Sequence, residues 1–134
     1  MMRTVAVGAC IALLGLAAPG RADVVLDWNE VALDAIRVDR TSPPKASRAL
    51  ASVHVAMYDA INSASGGAYE PYLVQPVQFF APISVEAAAA AAAHAVLVDL
   101  FPAQKATFDA ALAASLAAIP DGPEETSGIE GGRS

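Results

Sequence analysis

The sequence predicts an all-α fold, a bundle of about four helices joined by a long, aromatic-rich loop. Apolar residues recur at three- and four-residue spacing in four separate segments. Serine, aspartate or proline stands at the start of each of these segments, as at natural helix N-termini. Alanine, the strongest helix former, makes up much of the 55% hydrophobic content.

Residues 1–22 have the pattern of a secretory signal peptide. Arg3 precedes the apolar stretch Val5–Ala18, and "PGRA" ends at Ala22, a small residue suited to cleavage. The apolar stretch is shorter than the ~20 residues that span a bilayer. We therefore expect removal of residues 1–22 and export to the periplasm or beyond, in preference to a retained membrane anchor or a lipoprotein attached at Cys10.

Residues 23–134 then form the mature region. It keeps six basic residues against 14 acidic ones, a net charge of −8, which argues against nucleic acid or an anionic membrane surface as a partner. Cys10 is the only cysteine, so the mature region has no disulfide. Because alanine buries little apolar area, we expect helices to form more easily than an independent core.

The first two helices are predicted from their caps and apolar faces. A helix over Leu26–Val38 would be capped by Asp27, with Glu30 completing a capping box and Trp28 as the apolar anchor. A second would run from Pro43 to Asn62 after Ser42. Its polar side carries Lys45, Arg48, Ser52 and Asp59, and its apolar face carries Ala46, Ala49, Leu50, Val53, Met57, Ala60 and Ile61.

The connection over 63–83 contains several aromatic residues, among them Tyr69, Tyr72, Phe79 and Phe80. A connection of this length is unusual in a compact domain unless it is functional or packs on another surface. We therefore expect it to lie across a neighbouring surface, within this chain or outside it.

The remaining helices follow from Ser84, which caps the alanine-rich "VEAAAAAAAHAVLVDLF", and from Pro102, which ends that helix and opens the next. We expect these two to form a tight antiparallel pair, with an apolar seam of Phe108, Leu112, Leu116 and Ile119. A short helix after Pro123 would lack a packing partner, so we expect the chain to be the truncated part of a longer protein.

In order, "DWNEVALDAIRV", "PPKASRALASVHVAMYDAIN", "YEPYL" and "LFPAQKATFDAALAASLAAI" resemble the N-terminal helical region of exported proteins in the vanadium-dependent haloperoxidase and acid phosphatase (phosphatidic acid phosphatase type) superfamily. The resemblance runs from Asp23 to the end of the chain. It implies an all-α bundle in which vanadate or a substrate phosphate is held among Lys, Arg and His side chains.

The resemblance does not extend to the family's three catalytic motifs, which are Lys followed after six residues by Arg-Pro, then Pro-Ser-Gly-His, then Ser-Arg with a later His. Ser52 stands seven residues after Lys45, and Leu112 seven after Lys105. We therefore predict no catalytic, cofactor-binding or metal-binding residue in this chain. Vanadate is implied only for a full-length haloperoxidase, and the expected partner is a C-terminal helical region of the same protein or a second copy.

The two histidines, His54 and His94, are the candidate site residues. We interpret His54 as lying at the edge of an apolar face and bonding to a neighbouring group, while Asp59 points towards the charged side, so the two do not pair. His94 follows the alanine run on a different helix. Two separated histidines without a cysteine make a zinc or other transition-metal site an unfavoured alternative.

The other polar groups also have structural explanations. Asp27, Glu30 and Asp34 resemble the carboxylates of a glycosidase, but capping and solvation account for them. Ser47 and Ser52 lack the strained turn and the base that activate a nucleophile. The glycine pairs at Gly66 and Gly131 are typical of a turn and a chain terminus.

Two functional hypotheses follow. The first is that the chain is the scaffold part of an exported haloperoxidase-like or phosphatase-like enzyme and is inactive alone. The alternative is a self-standing exported helical module that binds a protein partner or oligomerises through its alanine faces. A self-standing module should unfold cooperatively, whereas a dependent part should not.

Overall fold

The computed structural model describes residues 23–73 and 82–134, and within these ranges the fold is all-α, as predicted, with no strand. The described residues form five α-helices: α1 (Val24–Asp39), α2 (Pro43–Ala64), α3 (Val85–Leu100), α4 (Lys105–Leu116) and α5 (Pro123–Gly132). A short 3₁₀ helix, Pro102–Gln104, leads into α4. The predicted signal peptide, and Phe79 and Phe80 of the connection, lie outside the described residues.

Helix α1 begins earlier than predicted. Asp23 is its N-cap, and the Asp23 side chain accepts a 3.0 Å hydrogen bond from the Val25 backbone N–H. The prediction that Asp27 caps this helix was therefore wrong, because a competent cap lies one turn upstream and the longer helix gains further backbone hydrogen bonds. The helix ends at Asp39, and its C-cap residue Arg40 has a φ of 54°, the left-handed conformation common after a helix C-terminus.

Helix α2 has the apolar face that the sequence predicts. It starts at Pro43, as expected, and extends two residues beyond Asn62. Ser42 occupies the N-cap position, but its side chain makes no capping hydrogen bond. The apolar residues that α2 buries are Ala49, Val53, Met57 and Ala60.

Helix α3 is the central element of the bundle. Ser84 caps it as predicted, accepting a 3.1 Å hydrogen bond from the Ala87 backbone N–H. Every alanine from 87 to 93 is buried, and α3 packs against α1, α2, α4 and α5. Small side chains allow neighbouring helices to approach α3 closely, so the alanine run determines how tightly the bundle packs.

The core gathers its large side chains from four helices. Trp28 of α1, Met57 of α2, Leu97 of α3 and Phe108 of α4 belong to one buried cluster. A second, smaller cluster joins α2 to α3 through alanines alone: Ala60, Ala88 and Ala92. Helices α1 to α4 therefore share an apolar core, which the alanine-rich composition made doubtful.

Helix α5 packs closely on α3, so the expectation that it has no packing partner was wrong. A β-carbon built on Gly132 would lie 2.2 Å from the Ala88 carbonyl oxygen, and one on Gly128 would lie 2.6 Å from the Ser84 carbonyl oxygen. The Ser84 N–H also donates a 2.9 Å hydrogen bond to the Glu124 carbonyl. Gly131 and Gly132 thus lie in a packed helix, although we expected them to belong to an ordinary chain terminus. Glycine has no side chain, so the backbones of α5 and α3 can approach each other closely.

None of the helices in the described ranges is both long enough and apolar enough to cross a membrane.

Candidate functional site

The polar residues at the C-terminal end of α2 bind the backbone of Tyr69–Leu73, which we call the YEPYL segment. Asn62 donates to the Tyr69 carbonyl at 2.8 Å and accepts from the Tyr69 N–H at 3.0 Å. Tyr58 donates its hydroxyl to the Glu70 carbonyl at 2.9 Å. These bonds hold the first half of the segment against α2.

Asp59 holds the second half of the YEPYL segment. Its two carboxylate oxygens accept hydrogen bonds from the backbone N–H groups of Tyr72 and Leu73, at 2.7 and 2.8 Å. Asp59 as a whole residue is only 4% exposed. A buried carboxylate that accepts several N–H bonds has its desolvation cost offset, and such charge-assisted bonds are among the stronger ones in proteins.

Asp59 was predicted to point towards the charged side of α2, but the YEPYL segment buries it there. A helical wheel locates the residue correctly relative to Val53 and Met57, but it does not show that the following segment folds back over the opposite face. The Asx-rich end of "YDAIN" was the available signal, because Asp and Asn side chains commonly bind nearby backbone groups.

The side chains of the YEPYL segment face outward. Tyr69, Tyr72 and Leu73 are each at least 70% exposed, although the backbone beneath them is bound. The segment binds the C-terminal end of α2, so these five residues of the connection lie on a surface of this chain.

His54 behaves as the sequence predicts. Its Nε2 atom lies 3.0 Å from Asn29 Oδ1, so an exposed hydrogen bond joins α2 to α1. His54 bonds to Asn29 of α1, whereas Asp59 accepts hydrogen bonds from the backbone of the YEPYL segment.

A different His–Asp pair is present between α3 and α4, which the sequence analysis missed. His94 Nε2 lies 2.8 Å from Asp109 Oδ1, and Lys105 Nζ lies 2.6 Å from Asp109 Oδ2. The His94 side chain is 12% exposed and meets the edge of the Trp28 ring at right angles, with ring centroids 6.4 Å apart. The two residues are 15 apart in sequence, so only the packing of α3 on α4 reveals the pair.

The electrostatics of this cluster centre on Asp109. The hydrogen bond from Lys105, and then that from His94, lowers the pKa of the Asp109 carboxyl below its ordinary value. A His–Asp pair requires a nucleophile or a polarised substrate within reach before it acts as a catalytic base. The Ser115 hydroxyl, six residues after Asp109, accepts from Trp28 Nε1 at 3.2 Å and donates to the Ala111 carbonyl at 3.1 Å.

An apolar groove of about 830 Å³ runs between α1 and the C-terminal part of α4. Val24, Trp28 and Val31 line one wall at helical spacing, and Ala111 and Ala114 line the other. Asp23, Asp27 and Glu86 also line it, and none of the described residues that line it is basic.

The remaining candidate residues do not converge. Asp27 lines the groove, Asp34 pairs with Arg37 of its own helix, and Glu30 is exposed. Ser47 donates its hydroxyl to the Pro43 carbonyl at 3.1 Å. In the ranges 23–73 and 82–134, no three His, Cys, Asp or Glu residues are placed so that they could hold a metal ion.

Comparison with known proteins found no match among protein-family models, curated proteins or solved structures.

Proposed function

We propose that this chain is the helical scaffold part of an exported vanadium-haloperoxidase-like or acid-phosphatase-like enzyme, with the catalytic groups supplied by further sequence. One observation carries the proposal. The segments that resemble the family pack on one another, and their polar side chains bind one another's backbones. Tyr58, Asp59 and Asn62 are occupied in holding the YEPYL segment, which is a structural task.

The proposal assigns no catalytic role to either histidine. His54 bonds to Asn29 on the surface, and His94 joins α3 to α4 through Asp109. In the implied chemistry, several cationic side chains surround one phosphate or vanadate. The described helices bring only Lys105 and His94 to a common partner, and that partner is the Asp109 carboxylate.

The direct test is an assay of the purified chain for phosphatase activity and for vanadate-dependent bromide oxidation. We expect neither activity above the background of a heat-unfolded sample. Activity that disappears in His94→Gln or His54→Gln, while both variants keep the helical circular dichroism spectrum, would overturn the scaffold assignment.

The alternative, a self-standing helical module, is favoured by the close packing of α5 on α3 through Gly128 and Gly132. It would bind a partner or oligomerise without any catalytic part. Cooperative thermal unfolding of the chain alone, with coincident transitions in circular dichroism and Trp28 fluorescence, favours this alternative. Non-cooperative unfolding favours the scaffold.

A further inference from the structure

We infer that the groove between α1 and α4 is a docking surface for an apolar helical segment that carries basic residues at its ends. The inference deepens the proposed scaffold role and rests on it for the partner's identity, since it names the surface and the chemistry of the segment that the scaffold receives.

The shape of the groove fits a helix. Its walls are the faces of two helices, with Val24, Trp28 and Val31 on α1 and the small residues Ala111 and Ala114 on α4. Alanines on one wall allow a third helix to approach closely, and an amphipathic helix in an apolar groove is a recurrent mode of recognition. The Trp28–Ser115 hydrogen bond joins the two walls.

The polar groups of the groove argue against a small polar ligand. The Ser115 hydroxyl already accepts from Trp28 and donates to Ala111. The other polar side chains on the lining are carboxylates, those of Asp23, Asp27 and Glu86. Small-molecule sites usually place a few free donors and acceptors inside an apolar pocket, whereas this groove presents apolar walls with charge of one sign.

The acidic side chains of the lining favour a partner segment that carries basic residues. A second, smaller groove shares Val85, Glu86 and Ile119 with the first and adds Glu124, so the described part of the combined lining carries four carboxylates and no cation. A second copy of this chain has a formal net charge of −6, and placing it here would oppose like charges. Lysine or arginine at the ends of an apolar helix complements the rim.

The probe is a synthetic peptide of about 14 residues, made of leucine and alanine with two lysines at each end. Its control has two glutamates at each end. Isothermal titration calorimetry on the full chain measures binding, because Trp28, the only tryptophan, is 1% exposed beneath the groove. We expect the lysine peptide to bind the full chain, the glutamate peptide to bind at least tenfold more weakly, and ionic strength of about 0.3 M to weaken the lysine complex.

Matched variants locate the site. Ala114→Lys adds a longer side chain and a positive charge inside the groove, so it should weaken binding of the lysine peptide at least tenfold. Ala110 is exposed on the same helix but does not line the groove, so Ala110→Lys should leave the binding unchanged. Glu86→Gln should weaken binding about twofold to fivefold, as expected for an exposed ion pair. Glu30→Gln is its control, since Glu30 is exposed and does not line the groove.

Several results would overturn the inference: no binding of the lysine peptide, equal binding of both peptides, or equal effects of the Ala114 and Ala110 variants. A dimer of the chain that Ala114→Lys dissociates would assign the groove to a second copy. Binding that appears only in an Arg21→Glu chain would assign it to residues 1–22. The readout involves no catalysis, so peptide binding without any family motif in the gene would refute the proposed function and leave the docking surface intact.

Discussion

The Asp59 carboxylate fixes the YEPYL segment by accepting the N–H groups of Tyr72 and Leu73. Replacing Asp59 with Asn removes the charge and turns one acceptor into a donor, which then faces a backbone N–H. We expect Asp59→Asn to lower the free energy of unfolding by about 1–3 kcal/mol. Urea denaturation measures this change, and hydrogen exchange should show faster exchange at the Tyr72 and Leu73 amides.

Asp99→Asn is the matched control, because Asp99 is an exposed aspartate at the end of α3. Its unfolding free energy should stay within about 0.5 kcal/mol of the unmodified chain. An Asp59→Asn chain with unchanged stability and unchanged exchange at Tyr72 would contradict the assigned role.

Asp109 gives a pH dependence whose sign follows from its lowered pKa. Hydrogen bonds from Lys105 and His94 favour the charged carboxylate in the folded chain, so the folded pKa lies below the ordinary 3.8. The added stability is present above the ordinary value and is lost as the pH falls through the folded pKa. The difference in unfolding free energy between the unmodified chain and Asp109→Asn should therefore be largest above about pH 5 and decline below 3.8.

The measurement is urea denaturation of both chains at several pH values. A difference that stays constant from neutral pH to pH 3, or that grows on acidification, would show that the Asp109 contacts do not persist in solution.

At the scale of the elements, the α3–α5 contact depends on glycine. Gly132→Ala would put a methyl group 2.2 Å from the Ala88 carbonyl oxygen, so the two helices must separate. Overpacking of this kind costs about 1–3 kcal/mol. Ordinary helix propensity predicts the opposite sign, since alanine stabilises an exposed helix by about 1 kcal/mol relative to glycine.

Gly122→Ala is the control for this element, because a methyl group there meets nothing within 4 Å. Thermal unfolding should show a clear decrease for Gly132→Ala and little change for Gly122→Ala. A higher unfolding temperature for both variants would mean that α5 does not pack on α3.

The helices themselves were predictable from sequence because their signals are local. Ser84 as a cap, Pro43 as a first-turn residue and the spacing of Phe108 and Leu112 each act within one or two turns. The contacts between elements were not predictable in the same way. Gly128 and Gly132 read alone as weak helix formers, and only the nearness of Ala88 explains them.

The candidate site shows the same division. The sequence correctly predicted that His54 bonds to a neighbouring group, since its position on the helix decides that. It missed the His94–Asp109 pair, which depends on how α3 packs against α4, and it missed the burial of Asp59, which depends on the path of the YEPYL segment. Residue type alone does not reveal a tertiary partner.

For the whole molecule, the described helices pack around one main apolar cluster, and an acidic-rimmed apolar groove lies between α1 and α4. Both features agree with a scaffold that receives a further helix. Neither depends on catalysis by this chain, so the scaffold role is tested most directly at the level of the gene and its mature product.

The decisive measurement is the coding sequence beyond the codon for Ser134, together with the intact mass of the exported protein. The scaffold account predicts that the reading frame continues into Lys-x6-Arg-Pro, Pro-Ser-Gly-His and a later Ser-Arg with His, and that the exported mass starts at Asp23 and includes these motifs. A stop codon directly after Ser134, with an intact mass to match, would contradict the account and favour the self-standing module.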